Sequence, residues 1–151
     1  MTSRLKGRAG VDHIGVGVAA ALLDSEGAIA LFHRKRGGES GLWGLPGGHV
    51  RIGETFVRAV KREVREELGV KVIRCRSLGF SEDVREEGHW LSALFLIEET
   101  EGLPTNRLPT VHHELFWARM DNLPGEITVV TRHMIERLQN SGEPWQTKQQ
   151  P

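Results

Sequence analysis

Between Gly48 and Val70 the chain reads GHVRIGETFVRAVKREVREELGV, and this run constrains the fold more than any other stretch. From Thr55 to Leu68 the apolar residues Phe56, Ala59, Val60, Val64 and Leu68 recur at helical spacing, and Gly69 follows as a helix stop. On that helix Glu63, Glu66 and Glu67 stand at i, i+3 and i+4, which brings three carboxylates within one turn. Like charges at this spacing destabilise a helix by about 0.2–0.5 kcal/mol per pair. A hard divalent cation such as Mg²⁺ offsets that repulsion, because it takes oxygen ligands and commonly bridges carboxylates to substrate phosphates. The segment therefore points to a metal site and to phosphate chemistry, with one helix face packed and the other carrying glutamates.

Composition bounds the classes that remain. A chain of 151 residues with 38% hydrophobic residues is the size of one domain with its own core. Lys+Arg and Asp+Glu both number 20, so no global field attracts polynucleotide, and an anionic ligand must be handled by local cations or a metal. The one cysteine, Cys75, has no partner for an intrachain disulfide and reads as a strand residue, consistent with a reducing cytoplasm. No apolar run reaches the ~20 residues of a membrane span, and residues 1–10 lack a signal-length apolar stretch. The expected organisation is a flexible N-terminus over 1–10, one domain over 11–140 and a disordered tail over 141–151.

Along the chain, His13–Leu23 and Ala28–Phe32 are apolar runs around Asp24-Ser25-Glu26-Gly27, the pattern of a hairpin. Arg34–Leu42 is charged and glycine-rich and reads as a loop able to close over a substrate, followed by a short strand at His49-Val50. Val70–Phe80 and Trp90–Ile97 read as strands around a charged connection, Ser81–His89, and Leu115–Ala118 as another. Val129–Gln139 reads as a second helix with Val130, His133 or Met134, and Leu138 inward. Strands with one helix inside the run and one at the end indicate an α+β or layered sandwich rather than an alternating βα array.

The spacing Gly48, five residues, Glu54, seven residues, then Arg62-Glu63-Val64-Arg65-Glu66-Glu67-Leu68-Gly69-Val70, preceded by Gly44-Leu45-Pro46-Gly47, resembles the Nudix box of the Nudix hydrolases. The resemblance implies an α/β/α arrangement, a mixed β-sheet sandwiched between helices with the box as a loop-helix-loop. It also implies Mg²⁺, with Mn²⁺ as a substitute, held by Glu63, Glu66 and Glu67 together with the main-chain carbonyl of Gly47. Glu54 and Arg62 then support those ligands, since an arginine fork beside carboxylates can hold their orientation by bidentate hydrogen bonds. For the general base two candidates stand: Glu63, within the box, and Glu114, which precedes the strand Leu115–Ala118. Glu82, Glu86 and Glu87 read as a solvated charge run. Arg34 and Arg36 lie where the family often carries basic residues, His49 resembles the histidine of an LPGGH subset near the phosphates, and Trp43 is a candidate for stacking on a base. Trp90 is the other tryptophan open to that role. His112 and His113 do not suggest zinc, because neighbouring strand residues face opposite ways and no third ligand stands at zinc spacing.

Within the family the run Gly44–Val50 with Gly53-Glu54-Thr55-Phe56 is similar to the MutT-like pyrophosphohydrolases that cut nucleoside triphosphates to a monophosphate and pyrophosphate. A nucleotide substrate, a monomer or homodimer, and no polynucleotide or membrane partner follow from that resemblance. ADP-ribose or nucleotide-sugar hydrolysis is the alternative. Against ADP-ribose, position 85, sixteen past Gly69, is arginine and no proline lies between Pro46 and Pro104; the absence of tyrosine also disfavours diadenosine tetraphosphate. A non-catalytic Nudix-fold binding module is a further reading, opposed by the retention of all three box glutamates.

Overall fold

The structure is a computed structural model, and residues 7–140 of it are described here. The expected disordered tail, 141–151, and residues 1–6 of the expected flexible N-terminus lie outside the described residues. Within the remainder of that N-terminal segment, the Gly10 carbonyl accepts a hydrogen bond of 2.7 Å from the His89 amide.

Among the described residues, seven strands and two helices follow in the order β1 (Gly15–Leu22), β2 (Ile29–Arg34), β3 (Trp43–Gly44), β4 (Gly47–His49), α1 (Phe56–Leu68), β5 (Lys71–Arg85), β6 (Gly88–Glu101), β7 (His112–Ala118) and α2 (Val129–Gln139). They form a four-stranded sheet, β4-β1-β6-β5, and a three-stranded sheet, β3-β2-β7. The first is mixed, since β1 runs parallel to β6 and antiparallel to β4.

The expected hairpin between the first two strands does not form. The turn is present, with the Asp24 carboxylate accepting from the amides of Glu26 and Ala28 at 2.9 Å each, but β1 and β2 join through a single bridge, Leu23 to Ile29, and then enter different sheets. Both edges of β1 are already bonded, to β4 and to β6, so β2 must pair elsewhere. The sequence carries the reason: β1 buries both faces, with Val18, Ala20 and Leu22 in one core and Ala19 and Ala21 in a second, as a central strand does.

Helix α1 has the expected limits. Thr55 caps it, its hydroxyl accepting from the Arg58 amide at 3.2 Å, and Gly69 ends it in the left-handed conformation at φ 74°, a region that costs glycine no Cβ clash. Ala59, Val60, Val64 and Leu68 are fully buried and, with β-strand residues such as Phe32 and Phe95, form the first core; Met134 of α2 closes the second with Ile29, Leu31 and Leu94. One helix thus lies against each core. The glutamates do not share an exposed face, as the sequence reading had them: Glu67 is buried at 7% exposure and packs beside Leu68, while Glu66 remains exposed.

Strand β5 runs to Arg85, five residues beyond its expected end, so the charged connection narrows to the turn between β5 and β6. The extra residues alternate as a strand must: Ser81 and Asp83 are buried while Glu82 and Val84 are exposed.

Candidate active site

Strand β4 runs antiparallel to β1, with Gly47 opposite Ala19 and Gly48 opposite Val18, and this places the Gly47-Gly48 backbone directly against the C-terminal half of α1. The contact is too close for side chains. A Cβ on Gly47 would overlap the Val18 carbonyl oxygen, and one on Gly48 would lie 2.6 Å from Glu63 Oε1. Two consecutive glycines are therefore what allows the loop and the helix carboxylates to meet.

The carboxylates are held by a dense polar network. The Gly47 amide donates to Glu67 Oε2 at 2.8 Å. Arg62 donates to Glu54 twice, Nε to Oε2 at 2.7 Å and Nη2 to Oε1 at 2.9 Å, and also to Glu63 Oε1 at 2.7 Å and the His49 carbonyl at 3.0 Å. Glu66 takes a longer contact from the same guanidinium, 3.4 Å, and lies 3.9 Å from Arg51. This bidentate fork fixes the loop that precedes α1 to the helix itself.

The electrostatics separate Glu54, Glu63 and Glu67. The Arg62 fork holds the Glu54 carboxyl far below the usual range, at about 2. Burial raises Glu63 even though Arg62 opposes the shift. Burial pushes Glu67 up to about 8 against the Gly47 amide, helped by the charges of Glu63 and Glu66. A carboxyl that burial first, and neighbouring carboxylates second, hold above its usual range is one that a cation can take over, and the donors present are hard oxygens. The residues thus fit a divalent metal of the Mg²⁺ type in chemistry. In the present arrangement no three acidic, imidazole or thiol side chains among the described residues converge on one point; Glu63 accepts from Arg62 and Glu67 from the Gly47 amide.

Beside this network lies a cleft of about 520 Å³, floored by Gly17–Ala19 of β1 and by Gly47, Gly48 and His49. Arg34 at the end of β2 and Arg36 and Glu39 of the loop after it line one side, and Asp83, Arg85, Trp90 and Ser92 of the β5–β6 hairpin the other. His49 lies against Trp90 with ring centroids 4.6 Å apart and the rings tilted by 34°. Of the residues singled out in the sequence, Arg34, Arg36 and His49 share this cleft with Gly47. Trp43 does not: it is 8% exposed in the second core, stacked on His33 at 4.8 Å. Glu114 is exposed on β7 in the other sheet and is not among the cleft-lining residues.

Sequence reasoning missed Asp83, Arg85, Glu39 and Ser92. The period-two pattern Ser81-Asp83-Arg85, set opposite Ser92, Trp90 and Gly88 by the β5–β6 register, is the signal that could have found the hairpin face. Of the weaker acidic candidates, Glu87 lines the cleft, whereas Glu82 points to His89 at 2.9 Å.

Helices on both sides of the strands, a glycine turn abutting helix carboxylates, and an adjoining cleft lined by arginines and acids together make a loop-helix-loop arrangement. Residues 13–138 match the NUDIX domain family, and the chain belongs to it. It is similar to the crystal structure of a MutT NUDIX hydrolase from Burkholderia pseudomallei, at 37% identity and TM-score 0.78, over 82% of this chain and 97% of that one. Among curated proteins it is similar to an ADP-ribose pyrophosphatase from Methanocaldococcus jannaschii, 35% identical over 54% of this chain and 49% of that protein. It is also similar to the nucleoside triphosphatase NudI from Escherichia fergusonii, 40% identical over 45% of this chain and 51% of that protein. The chain thus spans about half the length of these curated relatives. No helix among the described residues is long and apolar enough to cross a membrane.

Proposed function

We propose that this chain hydrolyses a nucleoside triphosphate to a nucleoside monophosphate and pyrophosphate, with a divalent cation at the α1 carboxylates. The observation that carries this reading is the buried Glu67–Gly47 contact beside Glu63, opening onto a cleft that Arg34 and Arg36 line. Glu63, Glu66, Glu67 and the Gly47 carbonyl would hold the cation. When bound, it would screen the phosphate oxygens and lower the pKa of a coordinated water.

The chain's own residues do the rest. Arg34 and Arg36 attract the triphosphate, and His49, backed by Trp90, borders the glycine turn where the phosphates approach. Arg62 keeps Glu63 and Glu54 in register with that turn. For the proton from the attacking water, Glu63 is better placed than Glu114, because it abuts Gly48 at the cleft while Glu114 lies outside the lining. Trp43, buried in the core, is left without a role in binding the base. The triphosphatase relative supports the triphosphate, and the ADP-ribose pyrophosphatase relative supports the second reading, ADP-ribose or nucleotide sugars.

A phosphate-release assay with Mg²⁺, run on dNTPs, NTPs, ADP-ribose and nucleotide sugars with and without inorganic pyrophosphatase, tests it. Triphosphates should give signal only with pyrophosphatase present. Direct phosphate release would refute the proposed bond cleavage, activity confined to ADP-ribose or sugars after phosphatase coupling would establish the second reading, and silence throughout would favour a binding module.

A further inference from the structure

Glu39 belongs to the glycine-rich loop between β2 and β3, yet its carboxylate reaches arginines of two different sheets. Arg34 Nη1, on β2, lies 3.6 Å from Glu39 Oε2, and Arg85 Nη2, on β5, lies 3.6 Å from Glu39 Oε1. All three side chains line the cleft that contains Gly47 and Gly48. Arg85 is anchored from the other side: its Nη2 lies 2.9 Å from Oδ2 of Asp83, which is only 6% exposed.

The two kinds of contact differ in strength. A 2.9 Å ion pair to a carboxylate that is 6% exposed is short and shielded from solvent, whereas ion pairs at 3.6 Å between partly exposed side chains contribute little. Asp83 therefore keeps the Arg85 guanidinium at the cleft, while Glu39 is held loosely. Glu39 is also the one member of the four carried on a loop, with Gly37 and Gly38 just before it and Gly41 just after.

Resting on the nucleotide reading above, we propose that Arg34 and Arg85 form a two-arginine site for a phosphate or pyrophosphate group, and that Glu39 occupies it as an internal competitor which the ligand displaces. A carboxylate between two guanidiniums satisfies the same donors that a phosphate does, and a phosphate brings more charge and more acceptor oxygens. Displacement frees the 35–42 loop from β5, so ligand binding and loop position become one event. The site uses none of the α1 carboxylates and does not depend on the metal.

The test is isothermal titration of the purified chain with inorganic pyrophosphate in EDTA, where the carboxylate site is silent. Glu39→Gln should tighten binding by about three- to tenfold at low salt, an advantage that shrinks in 0.5 M salt. Arg85→Gln should weaken binding by about tenfold and remove most of the gain from Glu39→Gln when the two are combined. Because Arg85→Gln leaves the buried Asp83 unpaired, the double variant Asp83→Asn/Arg85→Gln is measured beside it and should show the same weakening. A dissociation constant within twofold of the parent for Glu39→Gln, or no loss in the Arg85 variants, overturns the proposal. Tightened pyrophosphate binding in a protein that turns over no nucleotide refutes the hydrolase reading and leaves the anion site standing; turnover with binding unmoved by Glu39→Gln does the reverse.

Discussion

Adding one methyl group at Gly47 and at Gly48 should break the protein in two different ways. At Gly47 the new Cβ overlaps the Val18 carbonyl oxygen and lies 3.0 Å from Ala19 Cα, both of them backbone atoms. Val18 and Ala19 belong to β1, a strand bonded to β4 on one edge and to β6 on the other, and Ala19 is 4% exposed in the second core. Relief must come from moving a central strand. Overpacking of this kind costs about 1–3 kcal/mol, and backbone on both sides of the clash places Gly47→Ala at about 3 kcal/mol. For a domain this size that lowers Tm by roughly 10 °C.

At Gly48 the Cβ meets Glu63 Oε1 at 2.6 Å, Cδ at 2.7 Å and Oε2 at 2.9 Å, the far end of a side chain that can rotate away. Gly48→Ala should therefore lose about 1 kcal/mol or less. The rotation, however, carries Glu63 off its 2.7 Å contact with Arg62 and away from the glycine turn, so kcat should fall by about a hundredfold or more. Urea titration with circular dichroism measures the first effect and the pyrophosphatase-coupled assay the second. A Gly47→Ala protein as stable as the parent, or a Gly48→Ala protein with parental kcat, would refute the packing argument.

Glu67→Gln keeps an acceptor for the Gly47 amide and matches the protonated carboxyl that burial favours, so it should retain Tm while kcat drops by several orders of magnitude; parental turnover would sink its assignment as a metal ligand. Arg62→Lys cannot reproduce the fork to Glu54 and Glu63, and its kcat should fall by about 10- to 100-fold, with loss under twofold counting against the support role. Glu114→Gln, on an exposed strand position outside the cleft, should change kcat by less than about threefold, and a larger loss would return the base to Glu114. His112 is buried with Nδ1 unpaired and stacked on Phe32, and burial together with the Arg34 charge lowers its pKa from 6.5 to about 4. The unfolded chain then takes up this proton more readily than the folded one, so the stability present above pH 6.5 is lost progressively down to pH 4, by up to about 3 kcal/mol. Melting curves across that window should flatten in His112→Phe, and an unchanged slope would show that other groups govern it.

Local interactions made α1 and its cap legible from the chain alone. Thr55, the Phe56–Leu68 periodicity and Gly69 act within a few residues of one another, and the structure has the helix over those residues. The box spacing likewise marks which carboxylates lie near the glycine turn, because one helical turn sets their separation. What the chain could not show depends on partners far away in sequence. Whether the Asp24 turn closes a hairpin depends on β4 and β6 occupying both edges of β1, a pairing made with residues up to Ile97. Whether a tryptophan is core or cleft depends on its neighbours: Trp43 is buried against His33 and Phe116, while Trp90 lies at the cleft against His49. The burial that separates Glu67 from Glu66 needs the β4 backbone on top of it. The Arg34–Glu39–Arg85–Asp83 chain joins two sheets that only the folded protein brings together. Periodicity and spacing in the sequence therefore determined the helix and its carboxylate face, whereas burial and long-range register, which exist only once the sheets close over one another, decided which of those charges are held, shifted or free to bind.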